Sequence, residues 1–304
     1  MKTPSGQPVA TPAEASVETS PKAPAGASAR RVARSRRSVT LVAGCVLAGL
    51  VVAIAVVSLV WLPYAPDDTS GDRLMPPGAA HPLGTDKLGR DLLTQLMIGA
   101  RIALTVGIGS VLLGGVLGVL GGLAAGFATR WLDDTVAALL DILIAFPTLL
   151  LAMLVVAVQS ASLWSAVVAI GLGMSAVVAR LTRVLVKRVL AQDYITAART
   201  SGTSWPRVVT EHVLPNIWPT LLVNLALQLG LAVLAEASLS YLGLGPPPPN
   251  ASWGRMLQEA QTTVLTAPVG AVAPGVLLVM LVVGVNLIAD GLRDVADPTR
   301  RRTR

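Results

Sequence analysis

Six apolar stretches punctuate the chain, at about 39–62, 102–129, 139–158, 163–179, 219–242 and 269–289. The first carries no charge over 24 residues. At ~1.5 Å per residue it reaches about 36 Å, enough to cross roughly 30 Å of bilayer hydrocarbon with some tilt. The third and fourth stretches are close to the shortest that can span. The pattern predicts an all-α integral membrane protein with six transmembrane helices, and an even number of crossings puts both termini on one side. Residues 1–38 are rich in Ala, Pro, Ser and Thr and end in a basic cluster at Arg30, Arg31, Arg34, Arg36 and Arg37. They hold too little apolar surface to offset chain entropy, so a disordered tail is expected there. Residues 39–299 then form the six-helix domain, and 300–304 a short basic tail.

Polar and small residues inside the spans add detail. Ser110, Gly114, Gly118, Gly122 and Gly126 recur every fourth residue of the second span, which lines them along one helical stripe. Such a stripe lets another helix backbone approach closely in lipid. It fits packing within the subunit or packing against a partner subunit. In the third span, Pro147 predicts a kink and Asp141 a satisfied polar group near the inner surface. The fifth span contains Asn224, Gln228 and Glu236. Asn224 and Gln228 are one turn apart on one face, and Glu236 lies about 80° further round. Polar groups at membrane depth usually face a cavity or a partner. These three are therefore candidates to line a translocation pathway, although Glu236 could equally be a carboxylate reaching the outer interface. Asn286, in the sixth span, is a weaker candidate of the same kind.

Composition narrows the class. Charged residues make up only 13% of the chain and apolar ones 53%, whereas soluble domains carry about 25% charged residues. The net charge of +7 does not point to nucleic acid, because the basic residues stand at the edges of apolar runs. With the N-terminus in the cytoplasm, the inner segments hold 19 of the 24 Lys and Arg residues, which predicts both termini inside. The single cysteine, Cys45, excludes an intrachain disulfide and a thiolate metal cluster. His81 and His212 fall on opposite sides of the membrane, so they cannot share a catalytic site. Arg36-Arg37 ahead of an apolar run, and Leu41 to Cys45, resemble export and lipoprotein processing signals. The apolar run continues well past Cys45, which argues against both. No Gly-x-x-x-x-Gly-Lys-Ser/Thr sequence is present, so this chain is not expected to hydrolyse ATP.

The inner segment between the fourth and fifth spans is the most informative. It reads Asp193-Tyr194-Ile195-Thr196-Ala197-Ala198-Arg199-Thr200-Ser201-Gly202, continues to Glu211, and ends His212-Val213-Leu214-Pro215-Asn216. Two short helices joined by a turn at Gly202 are expected, either as a docking knob on the cytoplasmic surface or as a plain solvated connection. This segment resembles the EAA loop of ABC importer permeases, in which Glu-Ala-Ala, three residues, Gly, nine residues and a stretch ending in Leu-Pro form a coupling helix. Ala197, Ala198, Gly202, Leu214 and Pro215 match that pattern, and Thr196 replaces the namesake Glu.

Further motifs resemble the dipeptide, oligopeptide and nickel permeases, C-type subunit. They are the outer-loop run from His81 to Asp91 with Gly99-Ala100-Arg101, the run from Ala235 to Gly245, Pro249-Asn250-Ala251-Ser252-Trp253-Gly254, and Asn286 to Asp294 with Asp297-Pro298. The resemblance spans about residues 39–299. It implies a type I importer permease in a bacterial cell membrane that moves peptides inward. The implied partners are a homologous B-type permease, two ATPase subunits that bind ATP and Mg, an extracytoplasmic binding protein, and membrane lipid. Nickel chelates, glutathione or haem are alternative cargoes. No cofactor or metal is implied for this chain, and the resemblance assigns coupling to residues 196–215.

Overall fold

The computed structural model describes residues 25–296, with side chains over 39–294. Of these, residues 25–36 and 37–296 fall into separate units. The described secondary structure is helical throughout: α1 (Ala25–Val60), α2 (Leu92–Gly126), α3 (Arg130–Ala145), α4 (Thr148–Gln159), α5 (Leu163–Leu190), α6 (Asp193–Thr200), α7 (Trp205–Val208), a π-helical turn (Val209–Val213), α8 (Leu214–Tyr241), α9 (Trp253–Ala260) and α10 (Val269–Ala296). The expected disordered tail falls outside the described residues for 1–24, and so does the basic tail at 300–304. Backbone helix begins at Ala25, earlier than expected, through a stretch rich in Ala and Arg, both good helix formers.

Five helices are long and apolar enough to cross a membrane, and the α3–α4 pair makes a sixth crossing if taken as one span. The kink expected at Pro147 is a full break between two helices. Pro147 has no N–H to donate and forces Phe146 into extended backbone, so the chain bends by 85° between two separate helices. Helix ends also outrun the apolar stretches. α2 starts at Leu92 because Asp91 caps it, accepting from the Thr94 amide at 2.8 Å and the Thr94 hydroxyl at 2.9 Å. α5 starts on a reciprocal cap between Ser162 and Ser165 and runs on through Arg180, Arg183, Lys187 and Arg188. Charges end a crossing without ending a helix.

α2 and α5 form the most extensive pairing in the fold. The small-residue stripe faces α5 along its length. A Cβ on Gly114 would lie 2.6 Å from the Gly171 carbonyl oxygen, on Gly118 2.5 Å from the Val178 Cβ, on Gly122 2.5 Å from the Ala179 oxygen, and on Gly126 2.5 Å from a Val186 methyl. The Ser110 hydroxyl donates to the Val167 oxygen at 3.2 Å. Of the two readings left open by the sequence, packing within the subunit is the one this fold uses. One apolar core joins α2, α4, α5 and α8, a second joins α1, α2, α9 and α10, and a third ties the C-terminal end of α5 and the N-terminal end of α8 to α6 and α7.

Candidate coupling loop and polar transmembrane positions

α6 ends on Gly202, whose φ is +89°. The Gly202 amide donates to the Arg199 oxygen at 3.0 Å, and the Thr203 amide to the Ala198 oxygen at 3.0 Å. This is a Schellman termination, and its left-handed position favours glycine. A Cβ there would meet no atom within 4 Å, so the requirement is one of backbone conformation and not of space.

The turn is pinned from both sides. Ile195, Val208 and Val213 are buried against Val186, Val189, Ile217 and Leu221. The Arg199 guanidinium lies 4.3 Å from the centre of the Trp205 ring, and it also donates to the Thr203 oxygen. Trp205 meets Phe127, just past the end of α2, edge to face at 5.4 Å. The Asn216 amide donates to the Tyr194 hydroxyl at 3.0 Å, tying α6 to the first turn of α8. Thr196, Ala197, Thr200, Ser201 and Gly202 stay exposed between Tyr194 and Trp205. Ala198 is half-buried behind them. The geometry is an anchored turn whose tip carries small side chains, which a partner surface can approach closely.

Leu214 and Pro215 open α8 directly after the π-helical turn. The Pro215 ring would collide with the Glu211 carbonyl of a regular helix and leave it without a donor. The wider turn accommodates both problems, so the loop passes into the span without a break.

The three polar residues of α8 do not share one open surface. Glu236 is 1% exposed, and its carboxylate accepts from the Ser240 hydroxyl at 2.7 Å. Gln228 is buried as well. Asn224 is half-buried, and its side-chain oxygen has no hydrogen-bond partner among the described residues. Gln228 and Glu236, expected with Asn224 to line a pathway, are both enclosed here by neighbouring helices of the same subunit. The outward face of α8 carries Leu227, Leu231, Leu234 and Ser238 instead. Asn286 is half-buried on α10 beside Gly230 of α8, where a Cβ would lie 3.2 Å from its side-chain oxygen.

Opposite the coupling loop, the motif from His81 to Asp91 builds a cap over the helix ends. His81 Nδ1 is 3.0 Å from Asp91 Oδ1, and Tyr64 stacks on the His81 ring at 4.7 Å. Arg90 donates to Asp86 at 2.6 Å and to Glu259 of α9 at 2.7 Å. The Trp253 indole, fully buried, donates to the Leu96 oxygen of α2 at 3.1 Å. Sequence reasoning recognised this motif without assigning it a structural role. The Asp91 cap at the head of an apolar helix was the available signal.

At the end of the bundle that carries the loop, Asp133 of α3 is buried between Arg183 at 2.5 Å and Lys187, both of α5. Asp141 pairs with Arg180 at 3.1 Å on the surface, as the satisfied polar group expected of it.

Residues 118–302 match the family described as binding-protein-dependent transport system inner membrane component. The dipeptide transport system permease protein DppC of Alkalihalophilus pseudofirmus is 38% identical over 77% of this chain and 77% of its own. The glutathione transport system permease protein GsiD of Pectobacterium atrosepticum is 38% identical over 83% of this chain and 86% of its own. Among solved structures, a chain of the MetNI methionine ABC transporter in an inward-facing conformation shares the fold. Its TM-score is 0.57 at 22% identity, covering 67% of this chain and 96% of that one.

Proposed function

Because the chain belongs to the family of binding-protein-dependent transport system inner membrane components, a multi-pass family of the cell membrane, we propose that it is the transmembrane subunit of an importer carrying di- or oligopeptides into the cytoplasm. A homologous permease completes the pathway, two separate ATPase subunits bind ATP and Mg, and an extracytoplasmic binding protein delivers the cargo. Both termini and the α6–α7 loop lie in the cytoplasm on this reading, as the distribution of Lys and Arg favours. The observation that carries the coupling role is the turn at Gly202, anchored on the α5–α8 core and exposed at its tip. Thr196, Ala197, Ala198 and Gly202 present the contact, and Leu214 and Pro215 carry its motion into α8. Asn224, with an unpaired amide oxygen, is the remaining polar candidate for the pathway.

Uptake of a labelled dipeptide and of labelled glutathione by a deletion strain, with and without the gene restored, tests the reading. Restored dipeptide uptake supports it. Restoration of glutathione alone favours a second reading, suggested by the GsiD relative. Restoration of neither, in a strain where the ATPase still co-purifies with this chain, refutes peptide import.

A further inference from the structure

Two cavities adjoin at the end of the bundle opposite the coupling loop. The first, of about 320 Å³, lies between the 74–92 segment and the turn from α9 into α10. Leu74, Met75 and Val269 share its wall with Lys87, Arg90 and Glu259. The second, of about 580 Å³, is an open groove among the ends of α1, α2 and α10, and its lining is apolar throughout, including Ile54, Val57, Met97 and Leu277. Leu83 lines both, so they meet at that side chain. Trp61, well exposed, stands on the groove at the level where α1 ends, a position typical of aromatic residues at the membrane interface.

The charges of the first cavity are not balanced. Both oxygens of Glu259 are taken, one by Arg255 at 2.9 Å and the other by Arg90 at 2.7 Å. Asp86 accepts from the Leu88 and Arg90 amides at 2.8 and 2.9 Å and from the Arg90 guanidinium at 2.6 Å. Lys87, half-buried, makes no ion pair among the described residues. The cavity therefore presents one ammonium group free to meet an anion, beside carboxylates that are already occupied by donors.

We propose that these two cavities form a site for one anionic phospholipid, with its phosphate at Lys87 and an acyl chain in the groove between α1, α2 and α10. A lysine is a suitable point charge for phosphate, and a groove with no polar lining beside a charged pocket at the membrane surface matches an amphiphile. A free phosphate would use the first cavity alone and gain nothing from the groove. The site lies in the extracytoplasmic leaflet. That placement rests on the orientation proposed above, whereas the site itself does not.

The test is native mass spectrometry of the assembled transporter after exchange into phosphatidylglycerol or phosphatidylcholine. The wild type should retain phosphatidylglycerol about fivefold better, the preference expected of one cation near the surface. Lys87→Gln should abolish that preference and Lys87→Arg should keep it, which separates loss of charge from loss of fold. Val57→Trp, which fills the groove from an exposed position, should lower retention of both lipids. Equal retention of both lipids by the wild type, or an unchanged preference in Lys87→Gln, overturns the proposal. So does displacement of bound phosphatidylglycerol by inorganic phosphate with no effect of Val57→Trp, which would mark a free-anion site. Cysteine at position 87, in a Cys45→Ala background, should react with an impermeant thiol reagent on intact cells. Reaction only after permeabilisation would overturn the leaflet and the orientation while leaving lipid retention as measured.

Discussion

Replacing Gly202 isolates the conformation of the coupling loop from its packing. The residue has φ of +89°, and an added Cβ meets nothing within 4 Å. The cost of Gly202→Ala is thus almost wholly that of holding an L-residue in left-handed backbone, about 1–2 kcal/mol. A penalty of that size lowers the share of loops in the docking shape roughly 5–30-fold against competing conformations. Asn tolerates this region better, so Gly202→Asn should cost less, and β-branched Gly202→Val should cost more. Gly202→Pro should be the worst, because it fixes φ near −65° and removes the amide that bonds the Arg199 oxygen. Co-purification of the ATPase and peptide uptake should fall in the order Gly, Asn, Ala, Val, Pro. Membrane yield and thermal stability of the permease itself should stay level, since the turn has no tertiary contact at this point. If Ala and Val matched glycine in both assays, or if activity fell only in step with yield, the turn would not be what couples the subunits.

Three further comparisons test the frame. Gly118→Ala should destabilise the α2–α5 pair by about 1–3 kcal/mol through overpacking, seen as a lower unfolding temperature; Gly49→Ala and Gly275→Ala, whose added Cβ atoms meet nothing within 4 Å, should be harmless. Asp133→Ala leaves Arg183 without its carboxylate and should cost about 3 kcal/mol, against under ~1 kcal/mol for Asp141→Ala in an exposed pair; equal effects on stability would contradict the burial of Asp133. In a Cys45→Ala background, cysteine at 228 or 236 should resist a water-soluble thiol reagent in every nucleotide state, because both positions are enclosed within the subunit; labelling at both would mean that α8 turns a different face to the pathway.

The apolar runs told depth in the membrane, not helix length. α2 starts well before its run because Asp91 caps it, and α5 continues past the end of its own through Arg180, Arg183, Lys187 and Arg188, since Arg or Lys in a helix is no obstacle once it reaches water. The turn at Gly202 was legible because only a few backbone shapes end a helix in so few residues, and glycine marks one of them. The glycine stripe of α2 was legible for a similar reason, although its partner was not. The reading of α8 shows where periodicity stops. A helical wheel put Asn224 and Gln228 on one side, but which side is covered depends on contacts from α2, α5 and α10, far away in sequence. α9 itself went unseen, being a short helix held at its two ends by Ser252 and by the Arg90 and Arg255 bonds to Glu259.

The proposed mechanism needs a route from the loop to the far side of the membrane, and α2 supplies a continuous one. It begins at Asp91, inside the outer cap where Trp253 bonds its first turns, and ends at Phe127 against Trp205 of the coupling loop. At ~1.5 Å per residue a helix of this length is about 50 Å long. Over the half of that distance nearer the loop its glycine stripe packs closely on the backbone and short side chains of α5, which in turn carries Val186 and Val189 in the core beneath α6. Helices packed this closely have little room to slide or compress. A displacement of the loop by an ATPase should therefore move α2 and α5 together as one body, and shift the outer cap with them. Bending is more easily accommodated at the 85° break between α3 and α4, where Pro147 leaves two helices joined by extended backbone. Those two helices, α3 of which is held to α5 by Asp133, are placed to absorb the motion while the α2–α5 pair transmits it.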